Sequence, residues 1–253
     1  MSLFSLSGKT AIVTGGNRGL GAGMAEGLAQ AGAKVAIFAT SAHVHQAAQE
    51  FCAKGYDVIG IQCDLSDETS TKQAFDQAVE QLGGRLDILV NNAGIQRRHP
   101  AEAFPLSDWD DVLNVNLRSV FHLCQLAGNH MLPHGAGKII NVASLLTYFG
   151  GITVPAYAAA KGAVGQLTKA LSNEWASKGI NINAIAPGYM ATEMNEKLLE
   201  DTEGRYKEIT ARIPQGRWGT PEDMMGIAVF LASQASDYCN GATFLVDGGY
   251  TGR

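Results

Sequence analysis

The sequence predicts an α/β protein built on one parallel β-sheet that helices cover on both faces. Short apolar segments alternate with helix-length segments along the chain, which is the pattern of repeated βα units. The apolar segments are nearly continuous, as in Leu-Asp-Ile-Leu-Val at residues 86–90, and strands buried on both faces show such runs. With 253 residues, 46% of them hydrophobic, the chain is long enough for one large core. We therefore expect a single domain over residues 1–253.

Seven strands are predicted, at residues 9–14, 34–39, 57–63, 86–90, 138–142, 180–185 and 243–246. Helices are predicted at residues 20–31, 42–54, 67–82, 107–131, 155–178 and 221–232, with shorter ones near Glu196 and Tyr206. Asp67 is the expected acidic cap of the third helix, and Ser107 or Asp108 is the expected cap of the fourth. The stretch at about 190–219 is more polar and less regular, and a long insert at a strand's carboxyl end is typical of a substrate lid.

The first predicted strand runs directly into Gly-Gly-Asn-Arg-Gly-Leu-Gly at residues 15–21. Gly15, Gly19 and Gly21 fit a variant of the dinucleotide-binding fingerprint. Glycine lets the backbone turn tightly and approach a ligand, and the helix that follows offers free N–H groups to a pyrophosphate. The alternative is an ordinary glycine-rich βα turn.

Polar residues follow two further strands. Asp64, after the third strand, either bonds an adenine amine or caps the next helix, and taken alone the cap is favoured. Asn-Asn-Ala-Gly at residues 91–94 follows the fourth strand, where open α/β sheets bind ligands. Asn116 lies between Val115 and Leu117, and a buried amide must be satisfied. We expect Asn116 to be either a structural amide or part of a polar relay.

The main candidate catalytic motif is Tyr-Ala-Ala-Ala-Lys at residues 157–161. Residues four apart share a helix face, so Tyr157 and Lys161 are expected side by side. A cation beside a phenol stabilises the phenolate, and the pair therefore predicts a lowered pKa of Tyr157 and acid–base chemistry. Ser144, at the exit of the preceding strand, is placed to hold a substrate hydroxyl or carbonyl. Taken alone, such a pair usually means a packed ring and a solvated charge.

Composition excludes several functions. The net charge is −5 and no Lys/Arg tract occurs, which argues against nucleic acid or an anionic membrane as partner. No apolar run approaches the roughly 20 residues that span a bilayer, and the first residues do not form a signal peptide. The four cysteines lack CxxC spacing, which is typical of reduced thiols in a cytoplasmic protein. His43 and His45 point different ways on a helix, so no metal site is expected.

Together these motifs resemble the short-chain dehydrogenase/reductase family, in its order and at its usual spacings, over essentially the whole chain. The resemblance rests on the glycine turn, Asn91 to Gly94, Asn116, Ser144, Tyr157 with Lys161, and Pro187-Gly188. It implies a Rossmann fold of seven parallel strands, a nicotinamide cofactor and a homotetramer. It also implies a tetrad in which Tyr157 is the acid–base, Lys161 lowers its pKa and binds the nicotinamide ribose, Ser144 orients the substrate, and Asn116 supports a proton relay.

By the same resemblance the cofactor extends along the carboxyl edge of the sheet. The adenine is expected by Asp64, the adenosine ribose by residues 91–94, and the carboxamide by Thr192. The full set of expected cofactor contacts is Gly15, Asn17, Arg18, Gly19, Leu20, Asp64, Leu65, Asn91, Ala93, Gly94, Tyr157, Lys161, Pro187, Gly188, Met190 and Thr192.

The residues leave the choice between NAD(H) and NADP(H) open. Folds that prefer NAD usually carry an acid at the end of the second strand, and residues 38–41 read Phe-Ala-Thr-Ser without one. Arg18 offers its fork of donors to a 2′-phosphate, or is a solvated turn residue. These features favour NADP, whereas the resembling family includes users of both cofactors.

Within the family, the chain resembles sugar-acid dehydrogenases. Residues 91–100 are similar to gluconate 5-dehydrogenases, and residues 150–157 and 173–176 to 2-dehydro-3-deoxy-gluconate 5-dehydrogenases and 2-deoxy-gluconate 3-dehydrogenases. This implies hydride transfer at a secondary hydroxyl of a sugar acid, held by Ser144 and Tyr157. Arg97 and Arg98 are candidates for a bidentate clamp on its carboxylate, and at most one is expected to touch substrate because neighbours diverge. A subunit-contact or solvent-facing arginine pair is the alternative.

Two other functions compete. One is a 3-oxoacyl thioester reductase that uses NADPH, since the glycine turn and Ala39-Thr-Ser41 also resemble that group. An acidic carrier protein would require a basic docking patch, and the sequence shows none beyond Arg97 and Arg98. The other is a catalytically silent dinucleotide-binding regulator, which ranks last because Tyr157 and Lys161 are both present.

Overall fold

The computed structural model describes residues 3–201 and 204–253, and it contains one seven-stranded parallel sheet. The spatial order of the strands is β3-β2-β1-β4-β5-β6-β7, so the order reverses between β1 and β4 and a crevice opens there. Every predicted strand is confirmed within two residues at each end. The strands are β1 (Thr10–Thr14), β2 (Lys34–Ala39), β3 (Val58–Gln62), β4 (Ile88–Asn91), β5 (Gly137–Val142), β6 (Ile180–Pro187) and β7 (Thr243–Val246).

Helices cover both faces of the sheet, as predicted. Alternate strand residues enter two cores: Ile12 and Phe38 pack beneath α3, α5 and α6, whereas Val13 and Ile37 pack beneath α1, α2 and α9. Both sides of the strands are therefore buried, which explains their continuous apolar sequence. The helices are α1 (Gly19–Gln30), α2 (His43–Ala53), α3 (Glu68–Gln81), α4 (Leu106–Leu113), α5 (Ser119–Met131), α6 (Pro155–Trp175), α7 (Glu196–Glu200), α8 (Arg205–Arg212) and α9 (Met225–Ala232).

The long helix predicted at residues 107–131 is divided, and its predicted cap is wrong. A π-helical turn, Asn114–Arg118, separates α4 from α5. The helix begins at Leu106 after Pro105, and neither Ser107 nor Asp108 caps it. Asp108 instead lies 2.6 Å from the Nε2 atom of His99. The carboxylate thus binds the loop after β4 rather than the start of its own helix.

A polar cluster closes the amino edge of the sheet, opposite the crevice. Asp87, 5% exposed, accepts hydrogen bonds from the Thr10 N–H at 3.1 Å and from Arg85 Nε at 2.9 Å, and pairs with Lys9 at 3.3 Å. Burial acts to raise the pKa of Asp87, but the bonds from Arg85 and Thr10 and the charge of Lys9 lower it on balance. The cluster joins the start of β1 to the start of β4.

None of the helices in the described ranges is long and apolar enough to cross a membrane. Among the same residues, no group of three or more His, Cys, Asp or Glu side chains is arranged to hold a metal ion.

Candidate active site

Most of the residues selected from the sequence converge on one cavity of about 1150 Å³ at the carboxyl edge of the sheet. The loops after β1 to β6 supply its walls, because parallel strands all end at this edge. Asn91 and Asn116 are expected site residues that do not line it. The expected residues that do line it are Gly15, Asn17, Arg18, Gly19, Leu20, Asp64, Leu65, Ala93, Gly94, Arg97, Arg98, Ser144, Tyr157, Lys161, Pro187, Gly188, Met190 and Thr192.

The glycine turn after β1 leaves the start of α1 open to the cavity. Gly15 and Gly19 have φ angles of +63° and +53°, a region that side chains with a Cβ rarely adopt. A Cβ on Gly21 would lie 2.1 Å from the Gly15 carbonyl oxygen, so only glycine lets the helix pack on the turn. Arg18 precedes α1 and makes no side-chain cap. The first N–H groups of α1 are therefore left for an anionic ligand.

The two asparagines after β4 have different positions. Asn91 faces the interior, where its Nδ2 donates to Asn141 Oδ1 at 2.9 Å and contacts the Cys124 thiol at 3.3 Å. Asn92 lines the cavity, and its Nδ2 donates to the Thr14 carbonyl oxygen at 2.9 Å. The Asn91 side chain thus faces away from the cavity, because strand residues alternate between faces, and its expected contact with the cofactor stays a prediction. Asn92, omitted from the expected set, is the asparagine that lines the cavity.

Asn116 lies in the π-helical turn and is fully buried. Its Oδ1 accepts from the Ile95 N–H and its Nδ2 donates to the Ile95 carbonyl oxygen, both at 2.8 Å. Of the two roles that the sequence left open, this structural one is observed. Asn116 fixes the loop after β4, which carries Arg98, and its relay role stays a prediction.

Ser144, Tyr157 and Lys161 meet at the end of β5. Pro155 starts α6, which suits proline because the first helical N–H has no partner. Lys161, 3% exposed, donates from Nζ to the Val142 carbonyl oxygen at 2.6 Å. The same Nζ lies 5.7 Å from the centroid of the Tyr157 ring, which confirms the predicted juxtaposition.

The ionisation of this pair differs from the sequence prediction. Burial raises the pKa of the Tyr157 phenol, and a hydrogen bond with Ser144 and the charge of Arg98 offset this only in part. Burial also lowers the pKa of Lys161 to about 8. Lost hydration therefore outweighs the neighbouring charges at the Tyr157 phenol. That Lys161 lowers the pKa of Tyr157 relative to a site without this cation stays a prediction. At pH 7 Tyr157 carries its proton and Lys161 is largely an ammonium.

The structure separates Arg97 from Arg98. Arg97 turns towards α4, where its Nε lies 3.9 Å from Asp108 Oδ1. Arg98 faces Tyr157: burial and the charge of Arg205 lower the pKa of Arg98, while the Tyr189 and Tyr157 phenols raise it. No carboxylate in residues 3–201 and 204–253 forms an ion pair with Arg98. Of the two candidates, Arg98 is the one that is free to bind an anion beside the reacting groups.

The far end of the cavity is formed by the ends of β2 and β3. Asp64 lines it, and its Oδ1 accepts from the N–H and the hydroxyl of Ser66 at 2.9 and 2.7 Å. The cap of α3 is Asp67, which accepts from the N–H groups of Thr69 and Ser70. The favoured assignment of Asp64 as the helix cap is therefore wrong, and the prediction for Asp67 is confirmed.

Arg18 lines the cavity, as do Thr40 and Ser41 at the end of β2. Its guanidinium forms an ion pair with Glu193, and both side chains are more than 60% exposed. This pair joins the glycine turn to the segment after β6. Residues 38–41, Phe-Ala-Thr-Ser, carry no acidic side chain.

Tyr189 and Arg205 also line the cavity, although neither was selected from the sequence. Tyr189 packs against Trp218 and Tyr250, with ring centroids 5.3 and 5.2 Å away. Arg205 comes from α8, remote in sequence from the other site residues. Alternation along β4 would have identified Asn92, whereas no local pattern marks Arg205.

The sheet order, the open glycine turn and the grouping of Ser144, Tyr157 and Lys161 together define an oxidoreductase of the Rossmann type. A family model described as enoyl-(acyl carrier protein) reductase matches residues 15–251. The chain is 52% identical to the 2-dehydro-3-deoxy-D-gluconate 5-dehydrogenase of Pseudoalteromonas atlantica, over 99% of this chain and 98% of that protein. It belongs to the short-chain dehydrogenase/reductase family.

Two solved structures are similar over almost their whole length. One, from Beutenbergia cavernae with bound NADP, is described as an NAD(P) dependent gluconate 5-dehydrogenase; it has a TM-score of 0.96 and 45% identity, and all of both chains is covered. The other is a gluconate 5-dehydrogenase from Burkholderia cenocepacia in complex with NADP and tartrate. Its TM-score is 0.94 at 42% identity, covering 99% of this chain and 98% of that chain.

Proposed function

We propose that the protein is an NADP(H)-dependent dehydrogenase of gluconate-type sugar acids, which transfers hydride between a secondary hydroxyl or ketone and nicotinamide. The observation that carries the proposal is the position of Arg98, a guanidinium without a carboxylate partner in the described residues that faces Tyr157. A substrate held at Tyr157 thus meets a cation suited to a carboxylate. The names of the similar proteins, and the tartrate bound to one of them, support an acid substrate.

The cavity fits a dinucleotide with a 2′-phosphate. The open start of α1 suits a pyrophosphate, and no acid at the end of β2 opposes a phosphate there. Thr40 and Ser41 supply donors there, and Arg18 supplies donors in the same cavity. We assign the adenosine phosphate to these three residues, and the remaining expected contacts keep the roles that the family implies. The dinucleotide supplies the hydride acceptor in oxidation and the donor in reduction.

The residues of this chain manage the proton. In reduction, Tyr157 carries a proton at neutral pH and donates it to the carbonyl oxygen. In oxidation, Tyr157 must first lose that proton, and the positive charges of Lys161 and Arg98 stabilise the resulting phenolate. Ser144 holds the substrate oxygen within reach of Tyr157. Lys161 is itself oriented by its bond to the Val142 carbonyl oxygen.

The segment at about residues 190–219 is proposed to be the substrate lid. Several of its residues line the cavity, and its Glu193 pairs with Arg18 on the opposite wall. A lid of this kind would shield the hydride from water. A single domain, a homotetramer and a cytoplasmic location complete the proposal; they are supported by the family resemblance and, for location, by the scattered thiols.

The second candidate is a 3-oxoacyl thioester reductase that uses NADPH. The description of the family model, an acyl carrier protein reductase, favours it. The acidic net charge and the relatives that match the whole chain favour the sugar acid instead. Both functions use the same Ser144, Tyr157 and Lys161, so only the substrate distinguishes them.

Reduced-nicotinamide formation tests the proposal. The purified protein is assayed on gluconate, 2-deoxy-gluconate and 2-dehydro-3-deoxy-gluconate, each with NAD and with NADP. Turnover of at least one acid with a preference for NADP is the expected result, and the same panel identifies the acid. If none of the three acids is turned over but NADPH reduces an acetoacetyl thioester, the second candidate replaces the sugar-acid proposal.

A further inference from the structure

Arg205 is a further arginine of the cavity lining, and the proposed chemistry gives it no role. Arg205 is the first residue of α8, and its backbone N–H donates to Asp201 Oδ2 at 2.9 Å. Its side chain lines the same cavity as Arg98 and Tyr157. Within the part of the chain that the structure describes, no carboxylate forms an ion pair with the Arg205 guanidinium.

Arg98 and Arg205 approach the same space from different walls. Arg98 is on the loop after β4, and Arg205 is on the segment after β6. They are close enough for the charge of Arg205 to lower the pKa of Arg98. Two like charges that share a cavity repel each other unless an anion lies between them.

The acidic residues of the cavity do not neutralise these arginines. Glu193 pairs with Arg18 at the cofactor end. Glu196 and Asp111 line the cavity, and among the described residues neither forms an ion pair with Arg98 or Arg205. Both arginines are exposed, so solvent ions or a bound anionic ligand supply their counter-charge.

We propose that Arg205 and Arg98 together bind the carboxylate of the substrate. This inference rests on the proposed sugar-acid function and adds to it a residue that determines specificity. Two guanidinium forks offer enough donors for both carboxylate oxygens. A neutral polyol would leave the repulsion between the arginines in place, so the clamp selects acids over neutral sugars.

Arg205→Ala is the first test, with Lys207→Ala as the control because it removes a cation from the same helix outside the cavity lining. Arg205→Ala should raise KM for the sugar acid by about 10-fold or more, as expected for lost charge-assisted hydrogen bonds. NADP affinity should stay unchanged. Arg205→Lys should recover part of the loss, since a lysine keeps the charge without the fork.

The double variant with Arg98→Ala distinguishes a shared carboxylate from two independent sites. If both arginines hold one carboxylate, the rise in KM for the double variant should be smaller than the product of the single rises. A purely structural role of Arg205 would instead change NADP affinity and urea stability together. That outcome would overturn the clamp. A rise in KM for the double variant that equals the product of the two single rises would also overturn it.

Calorimetry of tartrate binding to the NADP complex distinguishes a failure of the clamp from a failure of the proposed sugar-acid function. Turnover of a sugar acid by the wild type, with KM and tartrate affinity unaffected in Arg205→Ala, would overturn the clamp alone. Tartrate binding that Arg205→Ala weakens 10-fold or more, without sugar-acid turnover, would support the anion site and overturn the proposed function. A wild type that neither binds tartrate nor turns over an acid would overturn both.

Discussion

Replacing Lys161 with methionine should make the protein more stable at neutral pH while removing its activity. The wild-type fold holds this ammonium 3% exposed, and its pKa falls from 10.5 to about 8 because of burial. That fall corresponds to a cost of about 3 kcal/mol in the free energy of unfolding. Methionine removes the cost but leaves the Val142 carbonyl oxygen without its bond, a loss of about 1–2 kcal/mol. The net gain at pH 7 is therefore about 1–2 kcal/mol.

The dependence on pH is the sharper test of this reasoning. Below pH 8 both the folded and the unfolded chain are protonated at Lys161, and the wild type bears the full cost. Between pH 8 and 10.5 the folded state releases the proton while the unfolded state keeps it, so the cost fades as pH rises. The stability advantage of Lys161→Met should thus shrink by about 2–3 kcal/mol between pH 7 and pH 10.

Urea unfolding, followed by tryptophan fluorescence at one protein concentration, measures both quantities. Lys169→Met is the matched control, because Lys169 occupies an exposed position on the same helix. It should alter the unfolding free energy little at either pH. A difference between Lys161→Met and the wild type that is the same at pH 7 and pH 10 would refute the assignment of a buried, charged lysine.

Three further predictions concern activity. Tyr157→Phe should lower turnover by about 100-fold or more and leave NADP affinity nearly intact in a fluorescence titration; near-normal turnover would remove the acid–base role. Arg98→Ala should raise KM for the sugar acid about 10-fold or more, whereas Arg97→Ala, whose side chain turns to Asp108, should change it little. Equal effects in steady-state kinetics would contradict that distinction. Finally, kcat/KM for ketone reduction should be constant below pH 7 and fall above about pH 8, because Lys161 loses its proton there. A profile that is flat through this range would show that the charge of Lys161 is not required.

Most elements of the fold can be predicted from the sequence, because the local pattern of apolar residues matches the faces that are buried in the structure. Apolar strands, the glycine turn and the Asp67 cap were predictable, since each depends on residues adjacent in the chain. The π-helical turn at Asn116 was not, because its amide bonds to the backbone of Ile95, 21 residues away in the chain, and no local pattern reveals that contact. The wrong cap at Asp108 has a similar cause, a contact with His99 that no helix pattern reveals.

The site was predictable in its parts and less so in its electrostatics. The spacing of Tyr157 and Lys161 predicted their contact, but not that burial would outweigh it in the pKa of the phenol. Adjacent arginines looked equivalent until α4 supplied a carboxylate for Arg97. Arg205 could not be found at all, since only the folding of α8 over the cavity brings it near Arg98.

The cluster around Asp87 has a consequence for protein engineering. It closes the amino edge of the sheet, whereas every group assigned to chemistry lies at the carboxyl edge. Substitutions in the Asp87 cluster should therefore be screened by heat or acid tolerance. Substitutions at the carboxyl edge should be screened by turnover. A library that optimises Lys9, Arg85 and their neighbours can raise shelf life without altering substrate choice, and the two libraries can be combined because distant sites add nearly independently.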